Sequence, residues 1–175
     1  MKNVQTGLAC LLLGLGVGMI YGREEKAEGP VFVTEGEVFD GQVTMLDKFV
    51  EVCLAQDATA CADLYTEDTV YMVQNQPALE GYDEVLNSYQ ALFSENRSAE
   101  IEMAEPVQQV LSMGDFAVVR GSGYNITMTD GVSEKESYKW LILSQRQPDR
   151  SWHRLWDINN DDDDYTREAD FACLR

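Results

Sequence analysis

The spacing of hydrophobic residues changes near residue 100 of this 175-residue chain, and the change limits the folds that the chain can adopt. Before that point apolar residues recur every three to four positions, which is typical of one face of an α-helix. Beyond it they alternate with polar residues, which is typical of a half-buried β-strand. Because the helical segments come first and the strands follow consecutively, the sequence predicts an α+β fold, in which an antiparallel sheet carries about three N-terminal helices on one face.

The segments before residue 100 carry separate helix signals. Thr44 and Asp47 resemble a capping arrangement and place the start of a first helix near residue 44. Asp57 is expected to cap a second, shorter helix, after which Glu67 and Asp68 turn the chain. The apolar positions of the three predicted helices are Leu46, Phe49, Val50, Cys53 and Leu54, then Cys61, Leu64 and Tyr65, and then Val85, Leu86, Tyr89, Leu92 and Phe93, with an end near Asn96.

The predicted strands lie mostly in the second half of the chain. Asp130-Gly131 is a hairpin signal between two of them. Gly121-Ser122-Gly123 lies inside a predicted strand, where it indicates a bulge or a bend of the sheet and not a phosphate-binding loop. The strand segments are 70–73, 101–113, 116–129, 134–146 and 152–159.

The N-terminus has the layout of a secretory signal peptide. Lys2 precedes an apolar stretch from Leu8 to Ile20, and a polar run follows Gly22. The stretch is shorter than the roughly 20 residues that a membrane-spanning helix needs, so a retained anchor is the less favoured alternative. We therefore expect a secreted, periplasmic or extracellular protein. The predicted organisation is a signal peptide at 1–22, an acidic linker at 23–43, one domain at 44–160 and an acidic tail at 161–175.

Charge and motif content exclude several classes of function. The chain has 13 Lys and Arg residues against 31 Asp and Glu residues, a formal net charge of -18, which argues against binding nucleic acid or an anionic membrane. His153 is the single histidine, and no zinc-ligand spacing or phosphate loop is present. We expect no cofactor.

Three cysteines remain once the leader, which contains Cys10, is removed. Cys53 and Cys61 fall on two consecutive predicted helices, so a disulfide between them is geometrically possible in an oxidising compartment. The alternative is that both are small buried thiols. Cys173 would then be free or able to link two chains.

Several short motifs follow one another in a recognisable order between residues 44 and 160. They are Gln56-Asp57, Leu64-Tyr65-Thr66-Glu67-Asp68, Leu79-Glu80-Gly81, Ala117-Val118-Val119-Arg120-Gly121, Trp152 and Trp156-Asp157-Ile158-Asn159. These motifs and the order of elements resemble the NTF2-like superfamily, closest to its SnoaL-like branch and to the family of unknown function numbered 4440 (DUF4440). The resemblance implies a cone, that is, a strongly curved sheet wrapped over the long helix with a pocket between them, often dimerised through the outer face of the sheet. It also places Phe49 and Val73 where ketosteroid isomerases carry a catalytic Tyr and Asp, which argues against that activity.

Alternation on the predicted strands selects candidate pocket residues. On the last strand His153, Asp157 and Asn159 share one face, and the resemblance directs that face into the pocket. On the strand at 116–129, Arg120 shares a face with Tyr124, and a buried Arg120 would pair with Asp157. These groups either contact a ligand or only hydrogen-bond neighbouring strands. The predicted ligand-binding set is Tyr71, Arg120, Tyr124, His153, Asp157 and Asn159.

Three functions stay open at this stage. The first is a non-catalytic domain that binds a small, largely apolar molecule in its cone, forms a homodimer, or does both. The second is a SnoaL-type isomerase, cyclase or hydratase-like enzyme that uses His153 or Asp157 as acid or base. The third is calcium binding, since positions 1, 3, 5, 7, 9 and 12 of a calcium loop match Asp157, Asn159, Asp161, Asp163, Tyr165 and Glu168, although Asp162 replaces the glycine of position 6.

Overall fold

A computed structural model describes residues 29–95, 100–129 and 131–162 of the chain. Within those ranges the protein folds into three helices and one curved sheet of eight strands, which confirms the predicted α+β class. The predicted signal peptide, the residues from Asp163 onward and Cys173 lie outside the described residues.

The long first helix, α1, covers Glu37–Leu54 and begins well before the predicted start at Thr44. Gly36 precedes it with a φ of 89°, a backbone conformation that glycine adopts without steric cost. Acidic Glu37 and Asp40 lie in its first turn, where the helix dipole favours negative charge. The capping prediction is wrong, because the Thr44 hydroxyl donates to the Asp40 carbonyl within the helix. The predicted linker thus contains the first turns of α1.

The two shorter helices agree better with the sequence pattern. Helix α2 covers Ala58–Ala62, and the Asp57 side chain accepts a hydrogen bond from the Ala60 amide, which confirms the predicted cap. Helix α3 covers Tyr82–Glu95 and buries Val85, Tyr89 and Phe93. The turn predicted at Glu67 and Asp68 is wrong, because both residues lie inside a strand.

The sheet is larger than the pattern predicted, with its strands arranged in the order β1-β5-β6-β7-β8-β2-β3 and with β4 also paired to β6. The segment predicted as one strand at 101–113 is two strands, because Pro106 has no backbone N–H to donate to a ladder. All described strand pairs are antiparallel except β2 with β8. The strands are β1 Val31–Val33, β2 Tyr65–Met72, β3 Leu79–Glu80, β4 Glu100–Ala104, β5 Val107–Met113, β6 Phe116–Thr129, β7 Val132–Arg146 and β8 Trp152–Asp161.

A long hairpin of β6 and β7 forms the centre of the sheet. Thr129 pairs with Val132 at its end, and Gly131 has a φ of 80°, which confirms the predicted hairpin turn. Strand β6 pairs with β5 up to Gly121 and with β4 from Tyr124 onward. The predicted bend at 121–123 is therefore the point where β6 changes its partner.

The inner face of the sheet packs against α1. Val119, Trp140 and Ile142 are buried there together with Leu46 of the helix. A second buried cluster lies between α1, α2, α3 and β2 and includes Phe49. The cone is the space that the inner face and the three helices enclose, and this second cluster surrounds the polar groups described next.

Candidate functional site

The cone contains a network of buried polar side chains centred on Arg154. The Arg154 side chain is 3% exposed and Asp157 is 4% exposed, so both charges are withdrawn from water. A buried charge needs both an opposite charge and hydrogen bonds to remain stable. The members of this cone network are Tyr65, Tyr71, Tyr89, Glu105, Tyr138, Arg154, Asp157 and Asn159.

A bulge in β8 brings Arg154 and Asp157 to the same face of the sheet. Ser144 pairs with Arg154 but the preceding Leu143 pairs with Trp156, so Leu155 is an extra residue without a partner in the β7 ladder. An extra residue reverses the alternation of side chains beyond it. Simple alternation placed Arg154 on the opposite face from Asp157, and that prediction is wrong.

The Arg154 guanidinium is held by three groups. Its Nη1 donates to Asp157 Oδ2 at 2.8 Å and to the Tyr65 hydroxyl at 3.2 Å. Its Cζ lies 3.6 Å from the centre of the Phe49 ring, so the cation stacks on an aromatic face. Phe49, which the resemblance aligned with the catalytic tyrosine of ketosteroid isomerases, gives Arg154 an apolar surface to stack on.

Three tyrosines continue the network toward the helices and the outer end of β8. The Tyr65 hydroxyl donates to Asp157 at 2.9 Å, so Tyr89 is the donor in the 2.9 Å bond between the two tyrosine hydroxyls. Asn159 donates to the Tyr71 hydroxyl at 3.1 Å. Burial, followed by the charge of Asp157, raises the pKa of Tyr65 well above its usual value, so its hydroxyl remains protonated at neutral pH.

Glu105 approaches Arg154 from the connection between β4 and β5. Its Oε1 accepts a hydrogen bond from the Tyr138 hydroxyl at 3.0 Å, and its Oε2 lies 3.6 Å from Arg154 Nη2. Burial raises the pKa of this carboxyl to about 7, although Arg154 acts in the opposite direction. Glu105 therefore changes its charge near neutral pH inside the cone.

Some polar atoms of Arg154 and Glu105 have no hydrogen-bond partner. Arg154 Nε and Nη2 are buried without an acceptor, and Glu105 Oε2 is buried without a donor. At 3.6 Å the two side chains attract each other but do not form a hydrogen bond. Buried polar atoms without a partner are uncommon in folded proteins.

Three of the six predicted pocket residues belong to the cone network, and the other three do not. Tyr71, Asp157 and Asn159 belong to the cone network, and His153 contacts the Tyr65 carbonyl through Nδ1 at 3.3 Å. Its neighbour Arg154 points into the cone, so His153 faces the opposite way from Asp157. The bulge at Leu155 again explains the difference.

Arg120 and Tyr124 lie on the outer face, so their predicted placement in the pocket is wrong. Arg120 donates to Gln109 at 3.0 Å, and Tyr124 donates to Glu102 at 2.9 Å. On β6 the inward positions are instead Val119 and Gly121. The predicted pair of Arg120 with Asp157 does not form, because Arg154 occupies that carboxylate.

Cys53 and Cys61 are free thiols in the structure, with their Sγ atoms 3.4 Å apart in the buried cluster beside the cone. Val73, which the resemblance aligned with the base of ketosteroid isomerases, is half-buried and follows the end of β2. Neither Val73 nor Phe49 offers an oxygen to a substrate.

The calcium-loop prediction is wrong at its first three positions. Asp157, Asn159 and Asp161 belong to strand β8, and the first two point into the cone, so they do not curve around one ion. Within 29–95, 100–129 and 131–162, no three His, Cys, Asp or Glu side chains are grouped to hold a metal ion. Asp163 and Glu168 lie outside the described residues.

Sequence reasoning missed Arg154, Glu105 and Tyr138. The Glu105-Pro106 pair carried a signal, since proline interrupts a strand and an acidic residue beside it sits at a strand end. No periodicity reveals the bulge that turns Arg154 inward.

No described helix has the length and apolar character of a membrane span.

The fold and the polar cone together define the class of this protein. A family model for the SnoaL-like domain matches residues 46–146, and the chain therefore belongs to the SnoaL-like family of the NTF2-like superfamily. The assignment to the family numbered 4440 stays a prediction. No curated protein matches the chain.

Several solved structures share the fold at low sequence identity. A ketosteroid isomerase-like protein from Erwinia carotovora atroseptica is 23% identical with a TM-score of 0.59, over 68% of this chain and 92% of that one. ActVI-ORFA from Streptomyces coelicolor is 12% identical with a TM-score of 0.65, over 73% and 98%. A structure from Catenulispora acidiphila in complex with S-DNPA is 10% identical with a TM-score of 0.65, over 73% and 96%.

Proposed function

We propose that this protein is a secreted binding domain that takes up a small, largely apolar molecule in its cone. The observation that carries the proposal is the pair of buried, unpartnered groups on Arg154 and Glu105 inside a cluster of aromatic and aliphatic side chains. Ligand sites are typically apolar with a few polar groups that fix orientation. The Catenulispora structure with the same fold is a complex with S-DNPA, which supports ligand binding as a function of this fold.

The binding site is tested with N-phenyl-1-naphthylamine, a neutral apolar probe that fluoresces when it leaves water. Met103 is half-buried and packs against both buried clusters, so Met103→Trp fills space between them. We expect this variant to bind the probe at least about tenfold more weakly, while the outer-face variant Trp156→Ser binds it unchanged. Loss of binding in Trp156→Ser alone would place the probe on the outer face and contradict the proposal.

A second candidate function is acid–base catalysis, and the pKa of Glu105 favours it. A carboxyl whose pKa is about 7 can take up and release a proton at neutral pH. The test follows exchange of the α-protons of 1-indanone in D2O by NMR, with wild type and Glu105→Gln. Exchange that is faster with wild type than with the variant, and that rises as pH increases through about 7, would establish catalysis in place of simple binding.

We also propose that two copies associate through the outer face of the sheet. Trp156 is 52% exposed and Leu141 is 41% exposed on this face, beside a groove of about 230 Å³. Arg120 lies in the groove, so this face carries positive charge in a chain whose formal net charge is -18, and two copies meet here with less repulsion.

Secretion is a proposal that depends on the first 22 residues, which lie outside the described residues. Expression of the full chain in a host with a secretory pathway, followed by intact-mass analysis of the exported protein, tests it. The expected mass is that of a chain whose first residue lies within or just after the segment from Gly16 to Gly22. Retention of the full-length chain in the cell would contradict the proposal.

A further inference from the structure

The unpartnered atoms of Arg154 and Glu105 are two donors, Arg154 Nε and Nη2, and one acceptor, Glu105 Oε2, which faces Nη2. Arg154 Nη2 has an N–H without an acceptor, and Glu105 Oε2 has no donor. The two atoms are 3.6 Å apart, and their side chains are 3% and 7% exposed. Any group that completes both atoms must therefore accept and donate at nearly the same point.

Apart from Arg154 Nε, the other polar atoms of the two side chains are already hydrogen-bonded. Arg154 Nη1 donates to Asp157 and Tyr65, and Glu105 Oε1 accepts from Tyr138. The Phe49 ring covers one face of the guanidinium. The network thus holds both side chains in place and leaves Arg154 Nη2 and Glu105 Oε2 facing each other without a hydrogen-bond partner.

Only some functional groups complete both of these atoms. A ketone or an ether accepts from Arg154 but leaves the Glu105 carboxylate facing another oxygen. A carboxylate is repelled by Glu105 and Asp157, and an ammonium group is repelled by Arg154. A hydroxyl accepts from Arg154 and donates to Glu105 with one atom.

We propose that Arg154 and Glu105 bind the hydroxyl group of an otherwise apolar alcohol or phenol. This inference rests on the proposed binding function and names the chemical class of the ligand. Half-buried Tyr71, Asn159 and Met103 adjoin the network and form its side toward solvent.

The preference for a hydroxyl depends on the charge of Glu105. The titratable groups around this carboxyl are Tyr138 on β7, Arg154 and Asp157 on β8, Tyr71 on β2 and Cys53 on α1. Above pH about 7 the ionised carboxylate accepts from a hydroxyl, whereas below it the protonated acid donates and accommodates a ketone equally well.

The experiment compares indane, 1-indanol and 1-indanone, which share one skeleton and differ in the polar group. Calorimetry with the mature protein is carried out at pH about 8.5 and about 5.5, on either side of the Glu105 pKa of about 7. At the higher pH we expect 1-indanol to bind about tenfold more tightly than either other compound. At the lower pH the advantage of the alcohol over the ketone should fall to about threefold or less.

Two Glu→Gln variants show which carboxylate causes the preference for the alcohol. Glu105→Gln should reduce the advantage of 1-indanol at pH about 8.5 to about threefold or less, because the carboxylate acceptor is gone. Glu102→Gln changes an exposed carboxylate on the neighbouring strand and should leave all affinities unchanged. Circular dichroism confirms that both variants fold.

The outcomes separate the inference from the proposed function. Binding of all three compounds with equal affinity at pH about 8.5 would overturn the hydroxyl preference and leave the cone as an apolar binding site. An alcohol preference that survives in Glu105→Gln would assign the hydroxyl to other groups and overturn the inference as well. Absence of binding by all three compounds, together with no response to N-phenyl-1-naphthylamine, would overturn both proposals.

Discussion

Glu105 shows how strongly one position depends on its surroundings. As an acidic residue next to a proline it has the sequence of a surface turn, yet the fold places it inside the cone between Tyr138 and Arg154. Burial raises its pKa to about 7 from the ordinary value of 4.5. In the unfolded chain the carboxyl ionises at the lower pH, so the folded state holds a proton that the unfolded state has lost over this interval.

The contribution of Glu105 to the free energy of unfolding should therefore fall as pH rises from about 4.5 to about 7. Glu105→Gln removes the titration and leaves Arg154 paired with Asp157. We expect the variant to be more stable than wild type at pH about 8, by on the order of 2 kcal/mol, with the difference disappearing near pH 5. Urea unfolding at both pH values measures the change.

The control for this prediction is Glu102→Gln, which alters an exposed carboxylate. Its effect on the free energy of unfolding should be within about 0.5 kcal/mol of zero at both pH values. A Glu105→Gln variant that is less stable than wild type at pH about 8 would show that the carboxylate stabilises Arg154 more than its burial costs.

The candidate site was predictable from sequence only in part. Strand alternation found Asp157 and Asn159, and family resemblance directed them into the cone. The sequence analysis paired Asp157 with Arg120 instead of Arg154. The reason is that the extra residue Leu155 turns Arg154 inward, whereas Arg120 lies on the outer side of β6. Bulges are set by contacts between strands, and a single sequence does not contain those contacts.

At the scale of elements, the segment that carries Glu105 is held by two glycines of β6. A Cβ atom added to Gly121 would clash with the Pro106 carbonyl and the Trp140 ring, and one added to Gly123 would clash with the Ala104 carbonyl. The chain from Ala104 to Pro106 thus lies directly on β6 where β6 changes its partner.

The start of α1 was harder to predict from the sequence, because Gly36 precedes the helix with a φ of 89° and without a side-chain cap.

Gly121→Ala should therefore shift the Glu105 segment as well as destabilise the sheet. We expect a loss of about 2 kcal/mol in the free energy of unfolding and weaker binding of the apolar probe. Gly29→Ala is the matched control, because no atom lies within 4 Å of its added Cβ, and it should be close to neutral. A Gly121→Ala variant of wild-type stability would contradict the close approach of the two backbones.

The connection between α1 and α2 brings two thiols together, and we predict a disulfide between them in an oxidising compartment. The Sγ atoms of Cys53 and Cys61 are 3.4 Å apart, so a bond needs a shift of little more than 1 Å. Exchange with oxidised glutathione forms the bond and releases two molecules of reduced glutathione. The hydrogen bond from Cys61, together with burial, raises the pKa of Cys53, so the reaction should be slow at neutral pH.

Mass spectrometry after alkylation of the mature protein tests the disulfide. The oxidised form should carry one alkylatable thiol, Cys173, and should be about 2 kcal/mol more stable than the reduced form. Cys53→Ser is the control, since it should show no such gain after the same treatment. Three alkylatable thiols after prolonged exposure to oxidised glutathione would rule the bridge out.

At the scale of the whole molecule, the two faces of the sheet differ in kind. The inner face is closed by helices, whereas the outer face exposes apolar side chains of β6, β7 and β8 to solvent. The alternating pattern predicted this sheet and its helices because burial on one face leaves a regular signal. The sequence pattern does not show what covers the outer face. Residues that face solvent and residues that face a partner alternate with inward residues in the same way.

We predict that Trp156→Glu converts a dimer into a monomer. In an association with two-fold symmetry the same substitution enters both copies, so two added carboxylates face one apolar surface. Light scattering coupled to size-exclusion chromatography at about 50 μM protein should give a dimer for wild type and a monomer for the variant. Val132→Glu makes the same kind of change at the end of the β6–β7 hairpin, where Val132 is 62% exposed, and should remain dimeric.

Ionic strength provides an independent measure of the same association. Because each copy carries a formal charge of -18 over the full chain, like charges oppose dimerisation, and added salt screens that opposition. The dimer should therefore be tighter in about 0.5 M than in about 0.05 M NaCl, whereas an association held by ion pairs would weaken. A wild-type protein that stays monomeric at about 100 μM in high salt, or a Trp156→Glu variant that stays dimeric, would remove the outer face as the interface.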